Sequence, residues 1–176
     1  MRTSRTLAAS CAAALALVAV PGAQAATQPA TRLIEQADRA TERADAAVER
    51  ADRAVHTAHE IGANANLAAA DRLLEGADRE LHRAHRILHR VAGHARADRL
   101  SAADDRALER ADRLIESADR KIERADRHTH AAVGETSGRQ QQLVRAADRI
   151  LERAHRRAER ADRLIESAHR AIHRAS

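Results

Sequence analysis

A seven-residue phrase, Ala-Asp-Arg-Leu-Ile-Glu-Ser, stands at Ala111–Ser117 and again at Ala161–Ser167, and degenerate copies of it fill most of the chain. Its head, Ala-Asp-Arg, recurs at Ala37, Ala51, Ala70, Ala77, Ala97, Ala111, Ala118, Ala125, Ala147 and Ala161. A period of seven with apolar residues in fixed slots dictates long helices packed side by side. With the repeated Ala at position a, the larger aliphatics fall at d and e, as in Leu33/Ile34, Leu73/Leu74, Leu114/Ile115 and Leu164/Ile165. Position b is mostly Asp and f mostly Glu, while c and g are mostly Arg.

At about 100° per residue this pattern winds into three stripes. Positions a, d and e form an apolar stripe, b and f an acidic one on one flank, and c and g a basic one on the other. The f Glu precedes the next c Arg by four residues, as in Glu35/Arg39, Glu116/Arg120 and Glu159/Arg163. That order favours helix ion pairs, each contributing roughly 0.2–0.5 kcal/mol. Ala, Leu, Arg and Glu are strong helix formers as well.

The repeat keeps its phase in blocks and slips at Gly62–Asn66, near Gly93 and across Gly134–Gly138. Gly and Asn end helices and build turns. Capping-box spacing appears at Ser101/Asp104 and at Ser137/Gln140. Four helices are expected, over about 31–61, 66–92, 102–131 and 139–174. Their short links favour an all-α, antiparallel up-down four-helix bundle, an alanine-rich coiled coil with heptad repeats. One domain then spans 31–176, behind a short linker at 26–30. Its core is expected to be thin, because Ala dominates position a and the chain has no Phe, Tyr or Trp. A long exposed helical array is the alternative to a closed bundle, and self-association or a ligand would add stability.

The first 25 residues have the anatomy of a secretory signal peptide: basic Arg2 and Arg5, an apolar run from Leu7 to Val20, and Ala23-Gln24-Ala25 for cleavage. The run is too short to span a bilayer, and no later stretch is apolar enough to do so. A secreted or periplasmic product is expected. Cys11, the only cysteine, lies in this leader, so disulfides and Cys chemistry drop out of the mature chain. Of 31 basic residues, losing Arg2 and Arg5 leaves 29 against 26 acidic ones. The remaining surface is nearly balanced at neutral pH, and its eleven histidines make it more cationic in acid.

Histidine is where chemistry is written over the repeat. His56, His59, His82, His85, His89, His155, His169 and His173 all occupy b or f. Successive b and f positions neighbour each other on a helix surface, so His82, His85 and His89 align three imidazoles. His169 with His173, and His56 with His59, align two each. Imidazoles one turn apart near carboxylates are candidate ligands for Zn²⁺, Ni²⁺ or Cu²⁺. The plainer alternative is solvated polar residues drifting within a degenerate repeat. Glu152/His155 and Glu166/His169 have Glu-x-x-His spacing, but the repeat generates it automatically, which argues against a di-iron site.

No phosphate loop, Cys/His pair or aromatic-lined pocket is legible, so an enzyme is not expected. The acidic stripe offsets the Arg, and no aromatic is present to stack on bases, which argues against nucleic acid. An Ala-rich face lacking Phe and Trp inserts poorly into a membrane surface. The leading expectation is a non-catalytic secreted structural or interaction protein, pairing with itself as a homo-oligomer or with a partner helix. The alternatives are a secreted protein that binds or buffers a divalent metal, and a weak binder of anionic cell-envelope polymers.

Overall fold

Gly62 and the Asn-rich stretch after it, the Ala97–Leu100 turn and the Thr136-Ser137 break divide the chain into four helices. The computed structural model describes residues 21–175; the predicted signal peptide up to Val20, Cys11 included, lies outside them. The helices are α1 (Pro21–Ile61), α2 (Ala65–Arg96), α3 (Ala102–Glu135) and α4 (Gly138–Ala175). Helix α1 begins ten residues ahead of the expected start and contains Pro29, whose missing N–H removes one backbone hydrogen bond. Helix α2 runs through Gly93, and α3 through Gly134, because helical glycine costs only about 1 kcal/mol.

Local chemistry explains the ends. Asn64 caps α2 by accepting from the N–H groups of Asn66 and Leu67 at 2.9 and 3.1 Å. At the end of α2, Arg99 donates its N–H to the His94 carbonyl and Asp98 takes a left-handed φ of 52°. Asp98 thus fills the position usually held by glycine after a helix. The Ser101/Asp104 capping box forms as expected. His94 Nδ1 adds a 2.7 Å hydrogen bond to the Asp104 carboxyl. Burial pushes the Asp104 pKa up, but the bonds from Ser101 and His94 outweigh it and hold the carboxyl below its ordinary range. The box expected at Ser137/Gln140 does not form. Gln140 instead donates its side-chain amide to the carbonyls of Ala58 and Gly62, satisfying the end of α1.

The helices pack as a bundle in which α1 contacts α2 and α4, and α3 contacts the same two. Apart from the small residues Ala40 and Ala47 at d of α1 and Ala92 at b of α2, the buried residues among those described fall on positions a and e. On α1 these include Ile34, Ala37, Thr41, Ala44, Val48, Ala51, Val55 and Ala58; on α3 Leu108, Ala111, Ile115, Ala118, Ile122 and Ala125. The d residues Leu33, Leu73, Ile87, Leu114, Ile150 and Leu164 are only partly buried against this core. The apolar stripe is therefore centred between a and e, with d at its edge. Within this core small residues dominate a and larger ones e, an alternation compatible with a close-packed interior. The buried hydroxyls of Thr41 and Thr129, both at e, donate to carbonyls four residues back and leave no orphan donor.

Centring the core between a and e places b about 80° to one side and d about 80° to the other. Cross-helix partners follow from this. Asp38 meets His85 and His89, Asp45 meets His82, and His56 meets Asp71 between α1 and α2. Asp105 meets His169 and Asp119 meets His155 between α3 and α4. In both seams the partner number falls as the residue number rises. The other two seams are made by the d flank: Glu80 pairs with Lys121 between α2 and α3, and Arg157 reaches the Arg43 carbonyl between α4 and α1. Among the described residues, no helix is long and apolar enough to cross a membrane.

Candidate metal centre

The b-flank seams bring acids and imidazoles of different helices together. Three groups of side chains there have ligand atoms within 4.8 Å of one another: Asp105/His169/His173, Asp119/Glu123/His155 and Asp112/Glu116/Asp162. All three lie between α3 and α4.

The first contains two of the sequence-nominated histidines. His169 and His173 are one turn apart near the end of α4, and their Nε2 atoms approach to 3.0 Å. Asp105, in the first turn of α3, lies across the seam. One of its oxygens is 3.1 Å from His169 Nδ1 and the other 3.5 Å from His173 Nε2. The nearer oxygen is buried and has no hydrogen-bond partner. Two Nε2 atoms bound tetrahedrally to one ion at about 2.0–2.1 Å would sit about 3.3 Å apart. The observed separation needs only a small rotamer adjustment. A carboxylate beside two convergent imidazoles is a donor set suited to a borderline divalent cation. The negative end of the α4 dipole favours positive charge there as well.

The row His82, His85 and His89 is arranged differently. Asp38 draws in two of the three rings by their Nδ1 atoms, His85 at 3.0 Å and His89 at 3.3 Å. Their ring centroids are 6.0 Å apart, against 4.4 Å for His169 and His173. His82 lies one turn away, 3.8 Å from Asp45. The two seams thus repeat one motif, an Asp facing an i,i+4 His pair, but the imidazoles converge on each other only at the α4 end. His56 sits between Glu60 and Asp71 at 3.5 Å from each. His59 accepts the Asn64 N–H at 3.4 Å, which ties it to the α1–α2 link and away from His56.

Sequence reasoning missed Asp105, Asp119 and Glu123 because their partners lie on another helix, 32 or more positions away along the chain. His155 carried a signal, its b position, and accompanies Asp119 at 2.7 Å and Glu159 at 3.5 Å. Burial pulls the His155 pKa down, but the hydrogen bond and charge of Asp119 outweigh it, so the imidazole holds its proton more tightly than usual. That makes the Asp119 group a poorer metal site at neutral pH, since a metal must displace the proton. In the third group, burial and then Asp162 push the Asp112 carboxyl up to about 6.

The chain matches no known protein-family model and no curated protein.

Proposed function

We propose that this chain is a non-catalytic, secreted helical bundle that binds a divalent transition-metal ion, Zn²⁺, Ni²⁺ or Cu²⁺, at Asp105, His169 and His173. In this reading the helices form an antiparallel up-down coiled coil behind a signal peptide cleaved near Ala25. The observation that carries the metal reading is the 3.0 Å approach of two Nε2 atoms beside a buried Asp105 oxygen that makes no hydrogen bond and lies 3.1 Å from His169 Nδ1. The apolar stripes of the four helices cover one another, and Ile61 is the one large aliphatic left exposed among the described residues. That weighs against pairing with a partner's helix as the main role.

Calorimetric titration of tag-free protein with each ion tests the proposal. One equivalent of metal should bind, and His169→Ala/His173→Ala should abolish that binding. His85→Ala/His89→Ala should leave it intact. Metal at a hundredfold excess over Kd should stabilise the fold by about 2.7 kcal/mol. Binding unchanged by loss of His169 and His173 would refute the assignment, as would no binding of any of the three ions.

A further inference from the structure

The repeat treats its two classes of arginine unequally. An Arg at c has the f Glu four residues before it, and these pairs form: Arg53 with Glu49, Arg79 with Glu75, Arg120 with Glu116 and Arg156 with Glu152. An Arg at g has position c four residues before it, which is usually another Arg. The fold gathers such residues where α1 meets α4. Arg43 and Arg160 at g, Arg157 at d and Arg39 at c surround a groove of about 150 Å³ floored by the small Ala40.

No carboxylate lines this groove. Arg39 has lost its expected partner, because Glu35 lies 3.9 Å from Arg96 of α2 instead. Arg157 stands where the neighbouring heptads of α4 carry Ile150 and Leu164, and its Nη1 donates to the Arg43 carbonyl at 3.0 Å, which fixes the guanidinium at the seam. Guanidinium groups stay charged at any accessible pH and carry five donors each. Four of them around one groove repel one another until an anion enters. Arg50 and Arg153 occupy the same g slots one heptad along, about 10 Å further up the seam.

We infer that this groove binds a linear phosphate-bearing polyanion, its phosphates seated between Arg43 on α1 and Arg157 and Arg160 on α4. The forked donors of Arg match phosphate oxygens two at a time. The continuation of the row through Arg50 and Arg153 fits a chain of phosphates better than a single one. This site is on a different seam from the metal centre and uses none of its residues.

The test is calorimetric titration of tag-free, metal-free protein with short-chain inorganic polyphosphate and, separately, with orthophosphate, at 50 and 300 mM NaCl. Polyphosphate should bind, and more weakly at the higher salt, because contacts to a polyanion release counterions. Arg157→Gln/Arg160→Gln should weaken binding at least tenfold. Arg113→Gln/Arg120→Gln, which removes the same charge from Glu-paired positions on α3, should change it less than threefold. Circular dichroism checks the fold, and the exposed single change Arg160→Gln should still cost threefold or more if the double variant unfolds. The assignment fails if polyphosphate does not bind at 50 mM NaCl or if the α3 control loses as much as the groove variant. Orthophosphate binding as tightly as the polymer would overturn the polymeric ligand.

Discussion

Asp45→Asn should stabilise this protein at pH 8 and do almost nothing at pH 4. Asp45 projects from the b flank of α1 into the α1/α2 seam, and its side chain is only 16% exposed. Burial is the main cause that pushes its carboxyl up to about 6. From α2, Asp78 pushes it further up while His82 and His85 pull it down, and Glu49 of its own helix adds to the rise. The ordinary value is 3.8. Because the folded value is the higher one, this carboxyl's contribution to stability is present in full below 3.8 and is lost as pH rises through about 6. At pH 8 the folded state holds an ionised group that it disfavours by about 3 kcal/mol, taking about 1.4 kcal/mol per tenfold. Water reaching the partly open seam screens that charge, and the gain expected from a neutral amide falls to about 1–2 kcal/mol. Asn also supplies an N–H donor toward Asp78. Thermal melts followed by circular dichroism at pH 4, 6 and 8 measure it, with a rise of about 2–8 °C at pH 8 for a domain of this size. Asp52 and Asp112, also near 6, add to the same trend in the wild-type protein, which should melt higher at pH 5 than at pH 8. A gain from Asp45→Asn that is equal at pH 4 and pH 8, or a loss at pH 8, would refute the reasoning.

Ile122→Ala, at a fully buried e position, should cost about 2–5 kcal/mol in urea unfolding, whereas Leu114→Ala at a half-buried d position should cost clearly less. Equal losses would show that the core is not centred between a and e. Asp104→Ala removes the α3 capping box and the His94 contact, and should cost about 1–2 kcal/mol at pH 7. The Asp104 carboxyl lies below its ordinary range, so its stabilisation is present above 3.8 and disappears as pH falls. The denaturation curves of this variant and the wild type should therefore differ at pH 7 and converge at pH 3, as for Asp45→Asn, but with the variant the less stable of the two.

Much of the architecture was legible in the repeat. Its period of seven implies helices, its slips at Gly62–Asn66 and Gly134–Gly138 mark links, and Ser101 before Asp104 marks a cap. The ion pairs Glu116/Arg120 and Glu159/Arg163 follow from spacing alone, because both partners lie on one helix turn. Glu35/Arg39 did not follow, since a residue of another helix competes for Glu35. The same limit applies to the candidate site. His169 and His173 could be nominated from i,i+4 spacing, but nothing local distinguishes them from His85 and His89.

What the sequence determined by itself is the local order: three stripes on every helix, with acids and imidazoles on one flank and arginines on the other. Those are consequences of 3.6 residues per turn. Tertiary packing decided which flanks meet. Centring the core between a and e, with residue numbers running oppositely across the α1/α2 and α3/α4 seams, sets b against b there and leaves the d flanks to face each other between α1 and α4. Charges that nearly cancel along one helix are thereby sorted by seam, which places Asp105 beside His169 and His173 and Arg43 beside Arg157. Such pairings depend on the relative rotation and register of two helices, which the burial of whole apolar faces sets and spacing within one helix does not.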